Sequence, residues 1–100
     1  MTERELQKVF HALSDPIRLR MVRLLLEYPE VCVCQFQNIF GTYQPRISFH
    51  LRVLRDAGIV ESKRRGKWVY YGIKHLPECV RQMISTLPLE ERLVSCTPNG

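Results

Sequence analysis

Apolar residues recur at helical spacing along most of this chain and alternate in one stretch. Leu6, Val9, Phe10 and Leu13 predict a first helix over 3–13. Asp15-Pro16 then opens a second, with Asp15 or Ser14 as N-cap and Pro16 in the first turn. Ile17, Met21, Leu24, Leu25 and Tyr28 form its inner face, Arg18, Arg20 and Arg23 fall mostly off it, and Pro29 stops it. Residues 32–40 read as a short third helix with Phe36, Ile39 and Phe40 turned inward. Gly41-Thr42-Tyr43 is a three-residue turn containing glycine. Gln44 caps and Pro45 opens a fourth helix with Ile47, Leu51 and Leu54 inside, and Gly58 stands where a left-handed C-cap is expected.

Ile59–Lys63 and Trp68–Ile73 alternate with strand character around Arg64-Arg65-Gly66-Lys67, a β-hairpin with a basic tip. A hairpin alone is unstable, so Trp68 and at least one of Tyr70 and Tyr71 are expected in the core. Helical spacing returns from Leu76 to Leu87, Pro88 ends it, and 88–100 read as a loosely ordered tail. The fold class is therefore mainly α with a β-hairpin, a winged helix-turn-helix of order α-α-α-α-β-β-α. Residues 1–100 make one domain. Leu6, Phe10, Val80, Met83, Ile84 and Leu87 exceed what one small core hides, so the terminal helices are expected to pair with a second copy.

Charge sharpens this picture. Arg46, Arg52, Arg55, Lys63, Arg64, Arg65 and Lys67 face only Asp56 and Glu61 between Tyr43 and Lys67, so this segment carries the whole net charge of +5. Concentrated positive charge over a helix-turn-helix and its wing is a nucleic-acid footprint. Arg46 and Gln44 lie at the N-terminal end of the fourth helix, the end that approaches base edges. Ser48, Phe49 and Arg52 share its outward face. Phe49 suits either a thymine methyl or burial against its neighbours, and His50 falls nearer the inner face as a structural histidine. Lys63, Arg64, Arg65 and Lys67 are expected on phosphates or in a minor groove. No apolar run approaches a membrane span, and the charged start Met1-Thr2-Glu3-Arg4-Glu5 lacks a secretory pattern, so a cytoplasmic protein is expected.

Cys32-Val33-Cys34 stands at the head of the third helix. Its spacing differs from the C-x-x-C of redox motifs and zinc ribbons, and no second pair is present. Paired thiolates select soft ions; buried cysteines can equally be small hydrophobes. Residues two apart on a regular helix point roughly 200° apart. Both sulfurs would then meet one ion only by distorting the first turn, and that distortion would pass to the fourth helix. Cys79, at the edge of the last helix's apolar face, reads as an interface residue. An enzyme is not expected, because no general base accompanies a nucleophile and no phosphate-binding loop is present.

Four segments in order resemble the ArsR/SmtB family of metal- and metalloid-responsive repressors. They are Leu13-Ser14-Asp15-Pro16-Ile17-Arg18-Leu19-Arg20, Glu30-Val31-Cys32-Val33-Cys34-Gln35-Phe36, Gln44-Pro45-Arg46-Ile47-Ser48-Phe49-His50-Leu51 and Gly66-Lys67-Trp68-Val69-Tyr70-Tyr71. The resemblance implies a homodimer on double-stranded operator DNA that leaves when As(III) or Sb(III) binds Cys32 and Cys34, with no cofactor needed for the fold. In arsenic-type members the box continues with an acidic residue and often a further cysteine; Gln35 and Gln37 stand there here. A third ligand is then left to Cys96, to a small-molecule thiol or to solvent. Cd(II) or Pb(II) as inducer, or oxidation of the same cysteines, are the alternatives.

Overall fold

The computed structural model describes residues 1–93. Their order is α1 (Glu3–Leu13), α2 (Pro16–Glu27), β1 (Val31–Cys32), α3 (Val33–Phe40), α4 (Gln44–Asp56), β2 (Val60–Arg65), β3 (Trp68–Ile73) and α5 (Glu78–Ser85). This is a winged helix-turn-helix. Local chemistry sets the boundaries. Asp15 Oδ2 accepts from the amides of Ile17 at 2.9 Å and Arg18 at 3.1 Å, so Asp15 rather than Ser14 caps α2. Gly41 ends α3 at φ 59, and Tyr43, one residue before Gln44, caps α4. At the far end of α4 Gly58 takes φ 78, with Gly58 N donating to Arg55 O and Ile59 N to Leu54 O. Those two bonds make a Schellman motif, the left-handed stop expected from the sequence. The last helix is shorter than its apolar spacing suggests, because Pro77 is its N-cap and leaves Leu76 outside.

The core forms where the five helices and the base of the wing meet, around Met21, Leu24, Phe36, Ile47, Leu51, Leu54 and Ile59. Four expectations are corrected here. Val80 and Ile84 are buried within a single chain, so they belong to this core and not to a second copy's surface. Leu6, Phe10, Met83 and Leu87 remain exposed. Arg18 is buried, because it shares the helical face of Met21, Val22 and Leu25. Trp68 is only half-buried and does not join the core; Tyr71 and Ile73 do that work for β3.

The fourth correction concerns the wing. It is a three-stranded sheet of order β1-β3-β2, not a lone hairpin. Val31 and Cys32 pair antiparallel with Tyr71 and Tyr70 on the free edge of β3. Strand β2 runs through Arg65, so the tip is only Gly66-Lys67, with Gly66 at φ 63.

Candidate metal centre and nucleic-acid interface

Cys32 ends β1 and is also the N-cap of α3, with extended backbone at φ −76 and ψ 149. Gln35 Oε1 accepts from its amide at 2.8 Å, one arm of a capping box. Because Cys32 lies outside the helix and Cys34 lies within its first turn, the helical 200° separation does not apply. Their sulfurs stand 3.5 Å apart. The expected clash between thiolate pairing and helix geometry is therefore absent. Two bonds of about 2.3 Å, the usual zinc–thiolate length, would close a triangle on that base. Cys32 is buried and Cys34 half-buried. Among the described residues no cluster of three or more His, Cys, Asp or Glu is placed to hold a metal ion. The structure thus brings two sulfurs together at the entrance of α3, and Cys96 lies outside the described residues. Cys79 is exposed on α5.

The fourth helix is fixed from behind by a network that periodicity did not show. Arg18 Nε donates to Ala12 O at 2.7 Å, and a terminal guanidinium nitrogen lies 3.0 Å from His50 Nδ1. Arginine only donates, so His50 Nδ1 accepts and its proton sits on Nε2. Asp15 Oδ2 is 3.9 Å from the same nitrogen, too far for a hydrogen bond. Burial pushes the His50 pKa below its ordinary 6.5, helped by Arg18 and Arg46 and opposed by Asp15. Burial also works against the Asp15 carboxylate, yet the Arg18 and Ile17 amides and the charges of His50 and Arg18 hold its pKa below 3.8. One arginine thus joins the end of α1, the start of α2 and the inner face of α4. Its signal in the sequence was spacing: Arg18, Met21, Val22 and Leu25 follow a helical stripe.

The opposite face of α4 is open. Gln44, Arg46, Phe49 and Arg52 are exposed, and Ser48 is half-buried. Gln44 Nε2 donates to Ser48 Oγ at 2.9 Å, so these two act as one polar unit. Phe49 is 53% exposed, which places it outward. Tyr43, not singled out by periodicity, is 79% exposed at the N-cap of the same helix. On the wing Lys63, Arg64, Arg65 and Lys67 are all exposed. Arg64 Nε donates to Gly66 O at 3.2 Å across the tip, while Arg65 grips Glu30. The structure therefore brings Gln44, Ser48, Phe49 and Arg52 along the exposed side of α4, sets Arg46 exposed about 200° round from Gln44, and gathers the basic residues on the β2–β3 hairpin.

A helix-turn-helix with this charge and a sulfur pair at its entrance defines a DNA-binding regulator. Residues 15–62 match the family described as bacterial regulatory protein, arsR family. The chain is 42% identical over 77 residues to the arsenic resistance transcriptional regulator ArsR1 of Pseudomonas putida, covering 76% of this chain and 60% of that relative. It is 36% identical over 91 residues to the cadmium resistance transcriptional regulatory protein CadC homolog of Staphylococcus aureus, covering 91% of this chain and 74% of that relative. Among solved structures it resembles HlyU from Vibrio cholerae, with a TM-score of 0.72 at 26% identity, covering 84% of this chain and 90% of that one. The chain belongs to the arsR family of bacterial regulatory proteins, a family of regulators and not of enzymes.

Proposed function

We propose that this chain is an ion-responsive transcriptional repressor of the arsenic-sensing type. It holds operator DNA as a homodimer and releases it when As(III) or Sb(III) binds Cys32 and Cys34. The observation that carries this reading is the 3.5 Å separation of the two sulfurs at the entrance of the helix-turn-helix. Thiophilic ions select such a pair. Gln44, Arg46, Ser48, Phe49 and Arg52 read the major groove, and Lys63, Arg64 and Lys67 supply charge to the backbone. Exposed Leu6, Phe10, Met83 and Leu87 on or beside α1 and α5 supply the dimer surface. The third place on a pyramidal ion is taken by Cys96 or by a small thiol. Because the pair is already assembled, the ion acts by favouring one arrangement of the surrounding elements.

A Cd(II) or Pb(II) inducer is the second reading, favoured by the similarity to the cadmium resistance regulator over 91% of this chain. Release of the protein from its own promoter fragment, ion by ion, tests both. Arsenite and antimonite should release it at lower concentration than cadmium or lead. Release by peroxide and by none of these ions would instead establish a redox sensor. Retention on the DNA with every ion refutes the reading.

A further inference from the structure

Residues 29–32 form a strap between α2 and the sulfur pair, and this strap lies along the wing. Val31 pairs with Tyr71, and Cys32 with Tyr70. Just before them the Pro29 carbonyl oxygen stands 2.7 Å from where a Cβ on Gly72 would sit, so only glycine admits this approach. Glu30 takes two guanidinium nitrogens of Arg65, at 2.7 and 2.8 Å. The same guanidinium lies 5.2 Å from the centroid of the Tyr70 ring, and Tyr70 is the strand partner of Cys32. A bidentate arginine–carboxylate pair fixes orientation in a way that single surface ion pairs do not.

We propose that Glu30 is a positioning residue for the wing: it tethers Arg65 in the ion-free protein, and ion binding at Cys32 and Cys34 reaches DNA through the strap and β3 as well as through α3. This rests on the ion-sensing reading above. Cys32 cannot shift toward an ion without moving its partner Tyr70 and its neighbour Glu30. The strand register and the Glu30–Arg65 pair are then the element whose two arrangements the ion selects between. Arg65 is a tether in the free protein, unlike Lys63 and Lys67, which remain available to phosphates.

The test measures operator affinity with and without arsenite for the wild type, Glu30→Gln and Arg65→Lys. Glu30→Gln keeps shape and removes charge; Arg65→Lys keeps charge and removes the fork. Both sites are on the surface, so both variants should fold. Each should lower the ratio of ion-free to arsenite-loaded affinity by roughly 2- to 30-fold. Amide exchange at Tyr70 and Tyr71 should respond to arsenite in the wild type and less in Glu30→Gln. A simple DNA contact predicts that Arg65→Lys weakens binding equally in both states, leaving the ratio intact, and that outcome overturns the tether. An unchanged ratio in Glu30→Gln overturns it too. A wild type indifferent to arsenite overturns the sensor reading itself, which is a different result from a responsive wild type with equally responsive variants.

Discussion

A Cys32→Ser substitution exchanges a buried sulfur for a hydroxyl at the N-cap of α3. Losing the apolar contribution of the sulfur costs on the order of 1 kcal/mol, comparable to one buried methylene. Serine is a far better cap than cysteine: its oxygen accepts from the first-turn amides and contributes about 1 kcal/mol. Gln35 still accepts from the amide of residue 32, because that bond uses no side-chain atom of Cys32. The two changes offset, so stability should stay within about 1 kcal/mol and the melting temperature within roughly 4–8 °C. Cys32→Ala loses the sulfur and gains no cap, so it should melt below Cys32→Ser. Ion coupling behaves differently. A typical coupling of about 1–3 kcal/mol changes operator affinity some 5- to 150-fold, and one sulfur cannot hold the ion on two points. Fluorescence-detected operator binding with titrated arsenite reads that ratio, and thermal melting reads the fold. Cys32→Ser should bind its operator like the wild type and keep that affinity in arsenite. Arsenite-driven release of Cys32→Ser, or of the Cys32→Ser, Cys34→Ser double variant, refutes the assignment. Melting of the serine variant below the alanine variant refutes the cap.

Arg18→Met leaves Ala12 O and His50 Nδ1 without their donor and should cost about 2–5 kcal/mol, whereas adding His50→Leu should recover part of that loss; additive losses in a double-mutant cycle would break the network. Because the folded His50 pKa lies below 6.5, its contribution to stability is complete above 6.5 and is lost as pH falls through the folded value; melting temperature against pH should show this limb in the wild type and not in His50→Leu. Phe10→Glu with Met83→Glu places charge on two residues that are 54% and 62% exposed in the single chain, so sedimentation should give folded monomers that bind DNA weakly; an unchanged dimer refutes the interface. Arg46→Ala should relax sequence preference at a cost of about 1–3 kcal/mol, while Lys67→Ala should weaken all sequences alike and flatten the salt dependence. Equal effects of both on operator and random DNA would refute the division of labour between helix and wing.

What the sequence yields here depends on whether a feature has a period of its own. The helices did: Ile47, Leu51 and Leu54 lie inside, and Asp15, Gly41 and Gly58 punctuate where their chemistry requires. The basic face of α4 was equally legible, because surface residues are simply what an inner stripe leaves over. Strand β1 had no such signal. Two residues carry no alternation, and Val31-Cys32 is a strand only because β3 offers a free edge. That one tertiary pairing gives Cys32 its extended backbone and brings its sulfur to Cys34. Reading 32–40 as uninterrupted helix therefore misplaced both sulfurs from a one-residue error in the start of α3. Arg18 failed for the opposite reason: beside Arg20 and Arg23 it reads as falling mostly off the inner face, although its spacing to Met21, Val22 and Leu25 puts it inside. It stays because Ala12 and His50 accept its protons, and acceptors from α1 and α4 are invisible until the helices pack. Both misses concern contacts that tie the sulfur pair or the reading helix to another element. Such tertiary contacts join residues far apart in the chain, and local patterns do not record them.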